Sequence, residues 1–182
     1  MRYVTGQEAP PDIYEDIRQN LFHGQIDRKV VKLATLSALY GSSYKGIAKI
    51  TGNAEASKNV IRRVRQYFNV DYLEKSLMNV LVEEKMLSNY YGRPLKITEI
   101  KGNILVSHFI QSTAVDTALL GFSKLMSKMT SQDVVPIYVL HDAVIFDVPE
   151  NEVQNFLNVC SEGIELPIGK FNFDVTKISE RK

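Results

Sequence analysis

Apolar residues recur at helical spacing through the first half of the chain, whereas short apolar and alternating runs dominate its end. The helical pattern predicts helices over residues 13–22, 28–40, 43–50, 55–68, 70–86 and 104–129. The later pattern predicts strands over 134–140, 143–148 and 171–178, with a short helix over 150–160. Because helices come first and strands only afterwards, we predict an α+β fold, with a helical layer followed by a small sheet unit.

A polar dipeptide interrupts the most apolar of these segments. Residues 137–148 read IYVLHDAVIFDV, so His141 and Asp142 separate two β-branched and aromatic runs. Two such runs around a polar pair predict an antiparallel hairpin whose tight turn presents both side chains at a sheet edge. The dipeptide alone leaves two interpretations open, namely ordinary turn residues or a functional pair.

Bulk composition narrows the class of protein only slightly. The chain has 182 residues, of which 45% are hydrophobic and 24% charged, enough for one or two compact units with cores. The net charge of +1 means that any nucleic-acid binding must come from a local basic face. The single cysteine, Cys160, has no partner for an internal disulfide and is expected in the core. With no signal-peptide pattern and no continuous run of about twenty apolar residues, we expect a cytoplasmic protein without a membrane partner.

The predicted helix 28–40 carries a mixed stripe of Arg28, Lys32, Leu36 and Tyr40, spaced four apart. Four residues advance about 400° around a helix, so these side chains follow one slowly turning line. Two cations, an aliphatic residue and a phenol in line suit a nucleoside triphosphate lying lengthwise, with its phosphates on the cations. The alternative is an amphipathic helix whose cations lie on its solvated edge.

This helix resembles motif B of the family A DNA polymerases, in which Arg, three residues, Lys and a later Tyr-Gly face the incoming nucleotide. The matching residues run from Arg28 to Lys32, with Leu36 and Tyr40-Gly41 after them. Other segments resemble that family in the same order: Asp12-Ile13-Tyr14, Tyr91-Gly92-Arg93, Gln111 to Asp116, and His141-Asp142 on motif C. The resemblance implies a fingers region over residues 1–99 and a partial palm over 100–182.

The resemblance also implies catalytic and DNA-binding roles for residues outside the helix 28–40. Asp142 would bind Mg²⁺, and His141 would contact the primer strand near its end. Gln111 would reach the minor groove of the nascent duplex, and Arg93 would contact DNA. Two interpretations of Asp116 remain open: a role in the site, or an ordinary helix-surface or capping acid.

On the helix 28–40, the resemblance implies nucleotide-binding roles. Arg28 would hold phosphate, and Lys32 would stabilise the triphosphate charge and serve as a proton donor to pyrophosphate. Leu36 would lie beside the sugar and Tyr40 would line the base pocket. The implied partners are deoxynucleoside triphosphates and a DNA primer-template.

Several positions depart from the family pattern. Leu36 stands where Phe or Tyr is usual, Ala143 replaces the acid that follows the motif C Asp, Ser107 replaces an Asn, and the chain has no Trp. These departures favour a divergent, phage lineage and, in that case, a location in the host cytoplasm. Leu36 also favours, slightly, an alternative assignment as a fragment of a single-subunit phage-type RNA polymerase.

The largest departure concerns motif A, which bears the other metal-binding Asp and is expected about ten residues before Thr5. The sequence contains no such strand, and Asp142 alone cannot hold two divalent cations in catalytic geometry. We therefore expect a second polypeptide that carries motif A, a thumb and optionally an exonuclease, and that shares two Mg²⁺ ions with this chain. Two alternatives remain, namely a non-catalytic DNA-binding remnant and a piece of a longer polymerase chain that itself carries motif A.

A basic cluster follows motif B along the chain. It comprises Lys58, Arg62, Arg63 and Arg65. The sequence leaves two interpretations open: a face for template backbone, or a solvated helix face.

Overall fold

The computed structural model describes residues 10, 12–140 and 143–178. The helices are α1 (Ile13–Phe22), α2 (Arg28–Tyr40), α3 (Lys45–Thr51), α4 (Ala54–Tyr67), α5 (Val70–Glu84), α6 (Gly102–Lys128) and α7 (Val153–Glu162). The strands are β1 (Val135–Leu140), β2 (Ala143–Asp147), β3 (Ile164–Leu166) and β4 (Gly169–Phe171). The predicted α+β class is confirmed.

The ends of the first two helices follow from capping chemistry. The Asp12 carboxylate accepts hydrogen bonds from the backbone N–H groups of Tyr14 and Glu15 and so caps α1, and the Asp27 carboxylate accepts one from the N–H of Lys29 at the start of α2. Gly41 ends α2 in the left-handed region, with φ of 69°. The predicted bounds of this helix are therefore confirmed.

The described residues up to Thr113 form one compact unit. Its first core joins α1, α2, α3 and α4 and includes Ile17, Phe22, Val31, Ala34, Ile47 and Val64. A second core lies between α5 and the first turns of α6, around Val70, Leu77, Leu87, Leu105 and Val106. Because the apolar face of α2 packs into the first core, its opposite face remains exposed.

The described residues from Ala114 onward form a second compact unit. Strands β1 and β2 pair antiparallel, with Leu140 opposite Ala143 and Val139 opposite Val144. Buried residues of α6, α7 and β3, together with Val134 just before β1, make the core, namely Leu125, Val134, Phe156, Cys160, Ile164 and Leu166. Burial raises the pKa of the Cys160 thiol, in keeping with its expected place in the core.

The predicted final strand over 171–178 is wrong within the described residues. The chain instead forms a short hairpin in which Leu166 of β3 lies opposite Gly169 of β4. Gly163, with φ of 71°, precedes this hairpin, and a Cβ there would lie 2.7 Å from the carbonyl oxygen of Phe171. Phe173 follows the hairpin and packs its ring against Phe122 of α6, at 6.1 Å between centroids.

One described helix, α6, is long and apolar enough by length and composition to cross a membrane. A helix that packs in a protein core passes the same test, and α6 contributes buried Leu105, Val106 and Leu125 to the cores described above. The helix is not a continuous apolar run, because His108, Gln111 and Asp116 interrupt it. The absence of a membrane partner stays a prediction, as does the assignment of residues 1–99 and 100–182 to fingers and palm, which a division into compact units does not test.

Candidate functional site

The mixed stripe predicted on α2 lies on the outer face of that helix. Arg28, Lys32 and Tyr40 are exposed and Leu36 is half-buried, whereas Val31 and its neighbours on the other face are buried. The four side chains therefore share one accessible surface. The structure brings these predicted residues together, while their roles toward a nucleotide stay predictions.

Arg28 is held at the base of this surface by Asp12. The Asp12 Oδ2 atom accepts a hydrogen bond from Nε of Arg28 at 2.7 Å and forms an ion pair with Nη2, also at 2.7 Å, while Oδ1 caps α1. The hydrogen bond donated by the Glu15 backbone N–H, together with the Arg28 guanidinium, holds the pKa of Asp12 below its ordinary value of 3.8. The carboxylate is thus ionised at neutral pH and orients the guanidinium.

One aromatic ring contacts both cations of the stripe. The Cζ atom of Arg28 lies 5.5 Å from the ring centroid of Tyr14, and Nζ of Lys32 lies 5.6 Å from the same centroid. Cation–π attraction to the ring offsets part of the repulsion between the two like charges. Among the described residues Lys32 forms no ion pair, so its ammonium remains available to an anion.

The far end of α2 fits closely against the start of α6. A Cβ on Gly41 would lie 2.7 Å from Nδ2 of Asn103, and its φ of 69° also disfavours a side chain. The Asn103 amide is the end of a flexible side chain and can rotate away from a Cβ, whereas the left-handed φ favours glycine directly after Tyr40. This fixes the end of the helix, and with it the backbone position of Tyr40.

The turn at Tyr91-Gly92-Arg93 is organised by a buried amide. Asn89 accepts hydrogen bonds at Oδ1 from the N–H groups of Tyr91 (3.0 Å) and Arg93 (2.9 Å). Its Nδ2 donates to Oγ of Ser112 on α6 at 3.0 Å. The sequence analysis did not select Asn89, although an Asn that begins a turn before Gly is a recognisable signal for such side-chain bonding.

The two residues of this unit that are predicted to bind DNA, Arg93 and Gln111, both have hydrogen bonds to serines of α6. Arg93 Nη2 donates to Oγ of Ser112 at 3.0 Å, and Gln111 is the preceding residue on α6. Gln111 is exposed, and its amide donates to Oγ of Ser107 at 2.8 Å. Arg93 therefore contacts α6 at the residue after Gln111, although consecutive helix residues point about 100° apart, and Asp116 is half-buried further along the helix.

His141 and Asp142 lie outside the described residues. The two strands predicted to flank them are confirmed, because β1 ends at Leu140 and β2 begins at Ala143. Every residue of β1 is exposed, including Ile137 (64%) and Tyr138 (59%), which alternate between the two faces of the strand. Within the described part of the chain no group of three or more His, Cys, Asp or Glu side chains is arranged to hold a metal ion.

The four residues of the basic cluster on α4 lie in two kinds of environment. Arg63 donates to the carbonyl oxygen of Leu21 and stacks over Phe22, and Arg65 pairs with Asp71 and Glu74. These two arginines join elements of the fold. The other two remain at the surface.

Lys58 and Arg62, the surface pair, line an open cleft of about 320 Å³. Nζ of Lys58 lies 5.1 Å from the ring centroid of Tyr44, and Arg62 donates to Oδ1 of Asn59 at 2.8 Å. The four basic side chains therefore do not form one uniform basic face on α4. Neither interpretation of the cluster from sequence holds for all of its members.

The architecture of this chain is similar to that of a solved structure. The chain is similar to the POL domain of Pol1 from M. smegmatis, solved in complex with DNA primer-template and dNTP, with a TM-score of 0.63. The chain has a polymerase-like fold. The similarity covers 88% of this chain at 16% sequence identity, and the chain spans 31% of that polymerase domain. No family model and no curated protein matches the sequence.

Proposed function

We propose that this chain is the C-terminal part of a template-directed DNA polymerase. In this proposal it adds deoxynucleotides to a primer 3′ end by phosphoryl transfer, as one component of a complex with a second polypeptide. The observation that carries the proposal is the exposed stripe of α2, where two oriented cations, an aliphatic residue and a phenol line one surface within a polymerase-like fold.

The stripe suits the charge distribution of a nucleoside triphosphate. Arg28 offers a planar fork of donors, of which Nε and Nη2 engage Asp12, and Lys32 offers a compact charge one helical turn further on. Charge on the transferring phosphoryl group is stabilised best by cations that are already oriented before the reaction. Leu36 and Tyr40 continue the same line and would contact sugar and base.

The DNA is proposed to lie along the neighbourhood of Arg93 and Gln111. The hydrogen bond to Ser112 holds the Arg93 side chain against α6, so the guanidinium is oriented before DNA binds. A side-chain amide such as Gln111 can reach acceptors that all Watson–Crick pairs share in the minor groove. Contacts of this kind bind the duplex independently of its sequence, as template copying requires.

Two Mg²⁺ ions are proposed as cofactors, with Asp142 as the ligand from this chain and His141 beside the primer terminus. When bound, such ions activate the attacking hydroxyl and stabilise the leaving pyrophosphate. Among the described residues no group of three or more His, Cys, Asp or Glu side chains is arranged to hold a metal ion. We propose that the further ligands of the two ions come from motif A on the second polypeptide.

The surface of β1 supports a second polypeptide on physical grounds. Strands that are apolar on both faces are typical of positions covered on both sides, yet both faces of β1 are exposed. Among the described residues β1 pairs only with β2, so its other edge offers unpaired backbone groups. We propose that the second polypeptide covers this strand and supplies motif A, a thumb and optionally an exonuclease, and that the chain alone is inactive.

The departures from the family pattern support a phage lineage, and the proposed location is the cytoplasm, that of the host for a phage protein. A fragment of a single-subunit RNA polymerase is the competing assignment, favoured by Leu36 alone.

Extension assays with the co-purified complex discriminate these functions. On a primed DNA template with Mg²⁺, we expect incorporation of deoxynucleotides to exceed that of ribonucleotides by at least tenfold. Preferential use of ribonucleotides would establish the RNA polymerase assignment. Binding of primer-template without incorporation of either would establish the non-catalytic remnant.

A further inference from the structure

We infer that Asp12 is a positioning residue for nucleotide binding, which acts by holding the Arg28 guanidinium in place beside Lys32. The inference rests on the proposed function and adds to it a residue that does not itself contact the nucleotide. It is drawn from the contacts between the start of α1 and the exposed face of α2.

The two oxygens of Asp12 perform separate tasks. Oδ1 accepts the backbone N–H groups of Tyr14 (3.0 Å) and Glu15 (3.1 Å), which satisfies donors at the start of α1. Oδ2 accepts a hydrogen bond from Nε of Arg28 and forms an ion pair with its Nη2. Because the helix cap fixes the carboxylate, the guanidinium is fixed in turn.

This arrangement leaves part of Arg28 available to a ligand. With Nε and Nη2 engaged, Nη1 has no hydrogen-bond partner among the described residues. The Tyr14 ring contacts the same guanidinium and the Lys32 ammonium, so both cations lie around one aromatic side chain. A long side chain that is half exposed loses less rotamer entropy on binding phosphate when it is already held.

Asparagine at position 12 separates the two tasks. Asn caps helices as well as Asp does, so Asp12→Asn retains the cap and loses the charge that holds Arg28. Asp27 provides a matched control, because it also caps a helix by accepting a backbone N–H, that of Lys29 at 2.7 Å, and pairs with no arginine. Asp27→Asn therefore makes the same chemical change without affecting Arg28.

The test measures binding of the fluorescent nucleotide mant-dATP to the full chain with Mg²⁺, by anisotropy. We expect Asp12→Asn to weaken binding about three- to fivefold, the scale of an exposed ion pair, and Asp27→Asn to leave it unchanged. In an Arg28→Gln background, Asp12→Asn should add nothing, because its effect passes through Arg28. In the complex with the second polypeptide, the same variant should raise KM for dATP and leave kcat within about twofold.

Other outcomes separate this inference from the proposed function. Equal affinities for Asp12→Asn and Asp27→Asn, tighter binding by Asp12→Asn, or a full additional loss in the Arg28→Gln background would each overturn the positioning role. Binding of mant-dATP as expected, with no primer extension by the complex, would overturn the proposed function and leave the positioning role standing. Absence of mant-dATP binding by the unmodified chain would overturn both.

Discussion

Lys32→Ala lowers the rate of primer extension by the complex by about two to three orders of magnitude, the range expected on loss of a group that stabilises charge and donates a proton. Among the described residues Lys32 forms no ion pair, and its ammonium lies on the exposed face of α2, so its removal breaks no bond that holds the fold. The loss should fall mainly on kcat, because the developing charge on pyrophosphate arises in the transition state. Single-turnover extension on a labelled primer measures it.

The control for Lys32 is another exposed lysine of the same unit. Lys75 lies on α5 and is exposed, so Lys75→Ala removes the same charge away from the stripe. We expect its extension rate to stay within twofold of the unmodified complex. If both variants retained more than half of the activity, Lys32 would be a solvated helix residue and the nucleotide surface would have to lie elsewhere.

Ile137→Lys prevents assembly with the second polypeptide and, with it, all primer extension by the mixture. Ile137 is the most exposed large apolar residue of β1, at 64%, and we propose that this strand lies at the interface. A lysine there would bury an unpaired charge on assembly, and we expect affinity for the second polypeptide to fall by at least about thirtyfold. Co-purification and analytical ultracentrifugation of the mixture measure the loss.

Val153→Lys is the matched control for this substitution. Val153 is also an exposed apolar residue of the same compact unit, at 41%, but it begins α7 rather than lying on β1. Assembly should be unaffected. Full assembly and activity of the Ile137→Lys chain would mean that β1 is not the contact surface and would remove the physical support for the proposed partner.

The parts of the fold that could be predicted are those specified by neighbouring residues. Helix α2 has an N-cap aspartate, apolar positions at helical spacing and a glycine at its end, and both of its bounds are as predicted. The hairpin β3–β4 was missed because each strand has only three residues, too short for an alternating pattern. The apolar residues after it, such as Phe173, pack singly and imitate such a pattern.

Contacts between distant residues could not be predicted in the same way. Asp12 and Arg28 are 16 residues apart, and their spacing does not predict the interaction that orients the guanidinium. Likewise Arg63 and Arg65 look like Arg62 in the sequence, yet they differ in environment because the helix directs them to different neighbours. Residue type and spacing located the surface of α2, but the partners that position its side chains depend on tertiary packing.

Extension of a labelled primer on a DNA template with Mg²⁺ and all four deoxynucleotides decides whether two polypeptides share one polymerase site. The assay compares this chain alone, the proposed second polypeptide alone, their mixture, and the mixture made with Asp142→Ala. We predict extension only in the mixture of unmodified chains, and its abolition by the substitution. Extension by this chain alone, or by the Asp142→Ala mixture at the unmodified rate, would contradict a polymerase site shared between two polypeptides.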